Sequence, residues 1–462
     1  MQTRFPFCYG IAELTELPHI FVRAEVEINN RIHVGVSSDG LAPKWFTKNA
    51  YTSFEHDDLP NMCNVIRQAA AFAVEVSACD SFFDWWMQTY TAQSTWGNEN
   101  EVPALLSGFG FSLLERAVLH ACCSEKEADL AFTLRQSDTG IKLNALRPFR
   151  EGVPSILSLV KRPSKSLTVR HTIGLGDPLT AADIAEMRPP NDGLPFTLEE
   201  NIQRYGLTHF KIKLSGSFET DHARLKTICL LLTQHVGHNA RFTLDGNENY
   251  STISDFRDHW QRHRENDQLR SFFDDQLLFV EQPIHRDNAL DDSVGAELES
   301  WRTAPPLIID ESDADFQSFP RAIELGYSGT SHKNCKGVLK GITNATTVAD
   351  FHLRGQKLLL SAEDLVNVGP VALHQDLAVV SLLGISHIER NGHHYFAGLK
   401  HLHESQQLKL LREHNDLYEI QAASFPALAI SNGQISIVSV VECPLGISSL
   451  PNFTLFEEWD LK

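Results

Sequence analysis

HFKIKL, residues 209–214, decides how the rest of the chain is read. Phe210, Ile212 and Leu214 alternate with Lys211 and Lys213, the period-two pattern of a strand with two unlike faces. Alone, this reads as a strand with one face in water, because lysine is almost never fully buried without a partner. Its neighbours in sequence change that reading. Six more short apolar runs, SLTVRHTI (166–173), ARFTLDGN (240–247), QLLFVEQP (276–283), PLIIDES (306–312), KLLLSAED (357–364) and GISHIER (384–390), are spaced by helix-length segments. An eighth, less regular run is YSGTSHKN (327–334). Strand alternating with helix implies βαβ units and a parallel sheet. Eight strands in about 230 residues match a (β/α)8 barrel, an α/β fold, expected over residues 161–398.

Residues 1–160 read as an α+β capping domain. Val22, Ala24, Val26 and Ile28 alternate with Arg23, Glu25 and Glu27; Asn29-Asn30 supplies a turn, and Ile32, Val34 and Val36 return. SSDGLAPKWFTKN (37–49) reads as a loop, and FSLLERAVLHACC (111–123) as a helix with Leu114, Val118, Ala121 and Cys122 at helical spacing. The last segment, 399–462, is irregular and is expected to pack back on the cap.

Composition excludes several functions. The net charge of -19 argues against nucleic acid or an anionic membrane surface as partner. Eight scattered cysteines without a C-x-x-C pair read as free thiols in a reducing compartment. The N-terminus lacks a signal-peptide core, and no apolar run is long enough to span a bilayer, so a cytoplasmic location is expected.

The strand ends carry the chemistry. Asp245, Glu281 and Asp310 close three consecutive runs, and in a barrel the C-terminal strand ends form one face that holds the active site. Three carboxylates brought together repel unless a cation lies between them, and an all-oxygen set suits a hard divalent ion such as Mg²⁺. In the barrel, Phe210, Ile212 and Leu214 pack outward while Lys211 and Lys213 face the metal end. Lys333 approaches from the opposite side. Two lysines flanking a bound carboxylate can take a proton from one face of its α-carbon and return one to the other.

Together, the K-x-K of Lys211 and Lys213, LDGNENY (244–250), VEQP (280–283), IDES (309–312) and a later strand-borne lysine resemble the enolase superfamily. The likeness is nearest to its two-lysine branch of muconate-lactonising enzymes and dipeptide epimerases, and covers most of the chain. It implies Mg²⁺ on Asp245, Glu281 and Asp310, and Lys213 and Lys333 as the acid/base pair. Lys211 would add positive charge beside the substrate carboxylate, and Asn247 would orient a water or ligand. Glu311 is the rival third ligand, although neighbours on a strand face opposite ways. Lys336 is the rival to Lys333, at odd spacing from it, and the paired glycine usual after the second lysine is replaced here by single glycines. No His-Asp dyad of the mandelate-racemase type is present: His374 fits an apolar helix and His393-His394 a solvated loop.

Specificity should come from the cap. Lys44 and Trp45, with Phe46, are placed to close over a substrate, and Glu363 and Glu389 to bind its distal part or orient Lys333. The expected activity is Mg²⁺-dependent α-proton abstraction from a small-molecule carboxylate, by a racemase, epimerase or cycloisomerase. An acid-sugar dehydratase and a catalytically silent ligand-binding barrel are the alternatives, and a homo-oligomer is allowed.

Overall fold

In the computed structural model, residues 1–159, 163–184, 188–420 and 425–458 are described. The expected 160/161 boundary between cap and barrel lies outside the described residues. The N-terminal part holds two hairpins, β1 (Gln2–Tyr9) with β2 (Ala12–Glu16) and β3 (His19–Ile28) with β4 (Arg31–Gly40), followed by helices α1 (Leu59–Glu75), α2 (Phe82–Glu99) and α3 (Ala104–Glu125). Asn29 and Asn30 both have positive φ (53° and 60°), which gives the tight two-residue turn whose twist suits paired strands. Residues 37–40, expected in a loop, instead extend β4, paired against β3 through Gly40.

Eight parallel strands follow: β5 (Ser166–Ile173), β6 (His209–Lys213), β7 (Arg241–Asp245), β8 (Leu277–Glu281), β9 (Leu307–Ile309), β10 (Gly329–His332), β11 (Leu359–Ala362) and β12 (His387–Arg390). β5 to β11 pair in sequence order and β12 pairs with β5, and the two ends of this order, β11 and β12, come into contact as the sheet curls into a barrel. Helices fill the connections; that at Leu198–Tyr205 starts in a capping box, Thr197 with Glu200, and stops at Gly206 with φ 61°. β6 shows why the barrel forms. Phe210, Ile212 and Leu214 are at most 2% exposed among the helices, and Lys211 and Lys213 are equally inaccessible on the inner side, at 1% and 7%. The expectation of a water-facing lysine row, taken from the stretch alone, is therefore overturned by partners on the other strands.

Beyond the barrel, β13 (Tyr418–Ile420) pairs with β14 (Pro426–Leu428), and β15 (Gln434–Ser436) pairs antiparallel with residues 166–168 of β5, ahead of the residues that meet β6. Further on, Phe453 and Phe456 lie against Phe21 of β3, ring centres 6.2 and 4.6 Å away.

α3 joins cap to barrel. It is buried almost all round, including two charged residues. Glu115 accepts from the backbone N–H groups of Val338 (2.6 Å) and Leu339 (2.9 Å), so a cap carboxylate sits at the N-terminus of the helix that follows β10. Arg116 pairs with Asp39 at 2.5 Å, and Asp39 accepts from Asn367 (3.1 Å) in the loop after β11. Gly35 of β4 crosses α3 closely enough that a Cβ there would lie 1.8 Å from the Ala117 carbonyl oxygen. Gly35→Ala should therefore cost about 3 kcal/mol or more; a denaturant midpoint at the wild-type value would refute this contact.

Candidate active site

The inner face of the barrel carries a network of charge. Lys213 of β6 donates to Asp245 at 2.6 Å, its register partner at the end of β7, and Glu281 stands beside Asp245 at the end of β8. Across the ring, Lys333 donates to Asp310 at 2.6 Å. Lys336 also reaches Asp310, at 2.9 Å to Oδ1 and 2.7 Å to the backbone oxygen, and Ser331 Oγ donates to the same carboxylate. Odd spacing should have turned Lys333 and Lys336 apart. It does not, because the chain leaves β10 at His332 and winds into a 3₁₀ turn over Asn334–Lys336. Only Lys333 of the two faces the cavity described below.

The Lys211 ammonium is surrounded by carboxylates: Glu281 at 2.9 Å, Glu363 at 2.8 Å, Asp245 at 3.0 Å and Glu389 at 3.1 Å. Lys211 thus engages the barrel's own acids, and it also reaches the cavity described below. Burial works against its charge, and the four carboxylates, Asp245 foremost, more than reverse this and hold it protonated. Arg170 of β5 pairs with Glu363 from below, and Thr172 donates to Glu389 at 2.7 Å.

Burial also governs the acids. It raises Glu281 well above the ordinary carboxyl range, helped by Asp245 and Glu363. Asp310 goes the other way, because Lys333 and Lys336 outweigh its burial. Glu311, just past β9, is pushed up to about 8 by burial and by Asp310. It faces the same cavity as Asp310, and its Oε2 has no hydrogen-bond partner. Asn247 is similar: φ is 44°, its N–H donates to Asp245 Oδ1 at 2.9 Å, and its buried side-chain oxygen is unpartnered.

Lys211, Lys213, Lys333, Asp310, Glu311, Asn247 and Glu389 line one cavity over the strand ends, of about 30 Å³. That is room for roughly one or two waters. Its lid is aromatic. Trp45 lies with its ring centre 5.1 Å from the Lys333 ammonium, and Phe7 and Tyr9 of β1 complete the cover. Arg286 fixes the Trp45 loop by donating to the Trp45 carbonyl at 2.8 Å while pairing with Glu248. Lys44, expected over the substrate, is held within its own loop by Thr52 Oγ1 (2.6 Å) and Asp58 (2.9 Å). Glu363 pairs with Lys211 and does not itself line the cavity. A far larger groove of about 1330 Å³ runs along residues 134–158 of the cap and carries none of these residues.

The oxygen-only set of Asp245, Glu281 and Asp310, with the unpartnered Asn247 oxygen beside it, has the donor chemistry of a hard divalent cation. In the present arrangement the lysine ammonium groups take those oxygens. Among the described residues no group of three His, Cys, Asp or Glu side chains stands ready to hold a metal ion.

Several partners here were not singled out from sequence. Arg170 and Thr172 share parity with Thr168 in SLTVRHTI, so a polar stripe on β5 was there to be read. Phe7 and Tyr9 had no such signal, since a strand far away in sequence brings them. His393 and His394, expected in solvent, are buried: His393 meets His171 at 3.0 Å and His394 lies beside Asp177. Tyr395, which donates to Asp177 at 2.7 Å, packs the short helix they share against Phe5 and Phe7 of β1. His374 is a buried helix residue paired with the Tyr418 hydroxyl at 2.8 Å.

No family model matches the chain, and no curated protein matches it in sequence. Its fold does match solved structures, which are consistently mandelate racemase/muconate lactonizing enzyme family and enolase superfamily members. A mandelate racemase/muconate lactonizing family protein from Azoarcus sp. is 13% identical, with a TM-score of 0.55 over 98% of this chain and 96% of that one. The N-succinyl Arg/Lys racemase of Bacillus cereus is 13% identical, with a TM-score of 0.54 over 96% and 95%. The dipeptide epimerase of Enterococcus faecalis is 13% identical, with a TM-score of 0.54 over 94% and 100%. The chain therefore has the fold of these barrel enzymes.

Proposed function

We propose that this protein is an Mg²⁺-dependent enzyme that removes the α-proton of a small carboxylate substrate, as a racemase, epimerase or cycloisomerase. One observation carries the reading. Lys213 and Lys333 stand on or just past strands four places apart in a ring of eight, and both line the same small cavity. Two amines facing each other across a substrate can serve as base on one side and acid on the other. Lys213 in its neutral form would accept the proton at Nζ, and Lys333 would deliver one from Nζ to the opposite face.

Asp245, Glu281 and Asp310 would hold the cation, which when bound would stabilise the negative charge that develops on the substrate carboxylate. Trp45, Phe7 and Tyr9 exclude water, and with Leu365 and Val366 they give the cavity apolar walls. Those walls favour a carboxylate with an apolar remainder over a polyhydroxylated acid sugar, which would leave hydroxyl groups unpaired. In this reading residues 1–160 are the specificity cap, 161–398 the catalytic barrel and 399–462 a segment returning to the cap, in a cytoplasmic enzyme. The eight free cysteines and the net charge of -19 support that setting and a small-molecule partner.

The experiment is deuterium uptake at the α-carbon of pooled N-acyl amino acids, dipeptides, hydroxy acids and acid sugars in D2O with Mg²⁺. Label in one class identifies the substrate; none in any class removes the reading. Asp245→Asn should weaken Mg²⁺ binding by about tenfold or more in calorimetry, since a charged ligand becomes neutral. Unchanged affinity would take Asp245 out of the metal site.

A further inference from the structure

Lys211 has no part in the proton transfer just proposed, yet it has the most crowded polar surroundings in the barrel. One ammonium with three N–H groups meets four carboxylates within 3.1 Å. Two of these, Asp245 and Glu281, belong to the proposed metal set. The other two, Glu363 and Glu389, come from β11 and β12 on the opposite arc of the ring and have their own supports in Arg170 and Thr172. Without Lys211, like charges would be left facing one another in a site shut off from water, a strongly destabilising arrangement.

We propose that Lys211 is an internal cation that holds the barrel's carboxylates together before a metal arrives, and that it is a positioning residue and not a proton carrier. Glu363 and Glu389 are the acceptors to which its ammonium withdraws when Asp245 and Glu281 turn their oxygens to Mg²⁺. The barrel is accordingly folded without metal, and the affinity for Mg²⁺ is set in part by how readily Lys211 gives up two of its four partners. This rests on the metal reading above for its second half only. The first half concerns the metal-free protein.

Thermal melting with and without Mg²⁺ tests both halves. Lys211→Met keeps the length of the side chain and removes the charge. Its metal-free form should melt lower than wild type by roughly 5 °C or more. Mg²⁺ should then raise its melting temperature by more than it raises that of wild type, because the ion restores the missing charge. A metal-free variant that melts with wild type, or an equal Mg²⁺ shift in both, would overturn the proposal.

Should Lys211→Met fail to fold, the double variant Glu363→Gln, Glu389→Gln supplies the test. Neutral amides attract the ammonium less, so Lys211 stays with Asp245 and Glu281, and Mg²⁺ binding by calorimetry should weaken about tenfold. Unchanged or tighter binding would overturn it. If wild type itself binds no Mg²⁺, the functional reading falls, while the metal-free melting comparison still decides the role of Lys211.

Discussion

Lys213→Ala is expected to lose exchange of the α-proton from one enantiomer of the substrate by about 10³-fold, and Lys333→Ala from the other. The split follows from the ring geometry, in which each amine addresses one face of the cavity. Each substitution should leave the fold intact, because neither orphans a buried acid. Asp245 keeps Lys211 at 3.0 Å when Lys213 is removed, and Asp310 keeps Lys336 at 2.9 Å when Lys333 is removed. Solvent deuterium uptake, followed by NMR on each enantiomer separately, gives the measurement. Equal loss for both enantiomers in both variants would mean that the lysines act as a unit and not as opposed bases. No loss in either would end the assignment of these two residues as catalytic.

The second large effect is acid lability. Twelve of the 21 histidines have pKa values driven below the usual 6.5 by burial, among them His19 and His332 to about 3 and His120 to about 4. Such a group is neutral in the folded chain and takes a proton in the unfolded chain below 6.5. Its contribution is therefore whole above that pH and is lost as pH falls from it towards the lowered folded-state value. Seven carboxyls raised by burial, including Glu311 and Asp376 at about 8, act in the opposite sense, since the folded state binds their protons first.

The histidines outnumber them. The balance between pH 6.5 and 5.5 is therefore a net loss of stability. The lowered carboxylates, such as Asp310 and Glu363, add their loss only further into acid. Melting temperature followed by circular dichroism should fall steeply over that unit of pH. A flat profile down to pH 5 would contradict the buried, neutral state of these rings.

The barrel was legible because its strands are short, apolar and regularly spaced, and because register follows from the acid or lysine that ends each run. The candidate acids and lysines were legible for the same reason, being fixed by position at strand ends. What was not legible depended on groups far apart in sequence. Whether Lys211 meets solvent or four acids cannot be decided from HFKIKL, since its partners lie on β7, β8, β11 and β12. The direction of Lys336 turned on a 3₁₀ turn that a parity argument does not see. The partners of Lys44 were hidden because a loop lysine near an aromatic can cap its own loop as well as a ligand. The burial of His393-His394 depends on β1, which crosses from the other end of the chain.

β15 gives the fold a schedule. Residues 434–436 pair with residues 166–168, more than half the chain earlier, and β12 closes on the same strand. A chain leaving the ribosome N-terminus first has made the cap and seven of the eight strands while β5 still lacks partners on these stretches. During that interval a strand edge with unpaired backbone groups is open to other nascent chains. The length of the segment between β12 and β15 sets how long the exposure lasts, so synthesis rate over residues 391–433 becomes a determinant of yield.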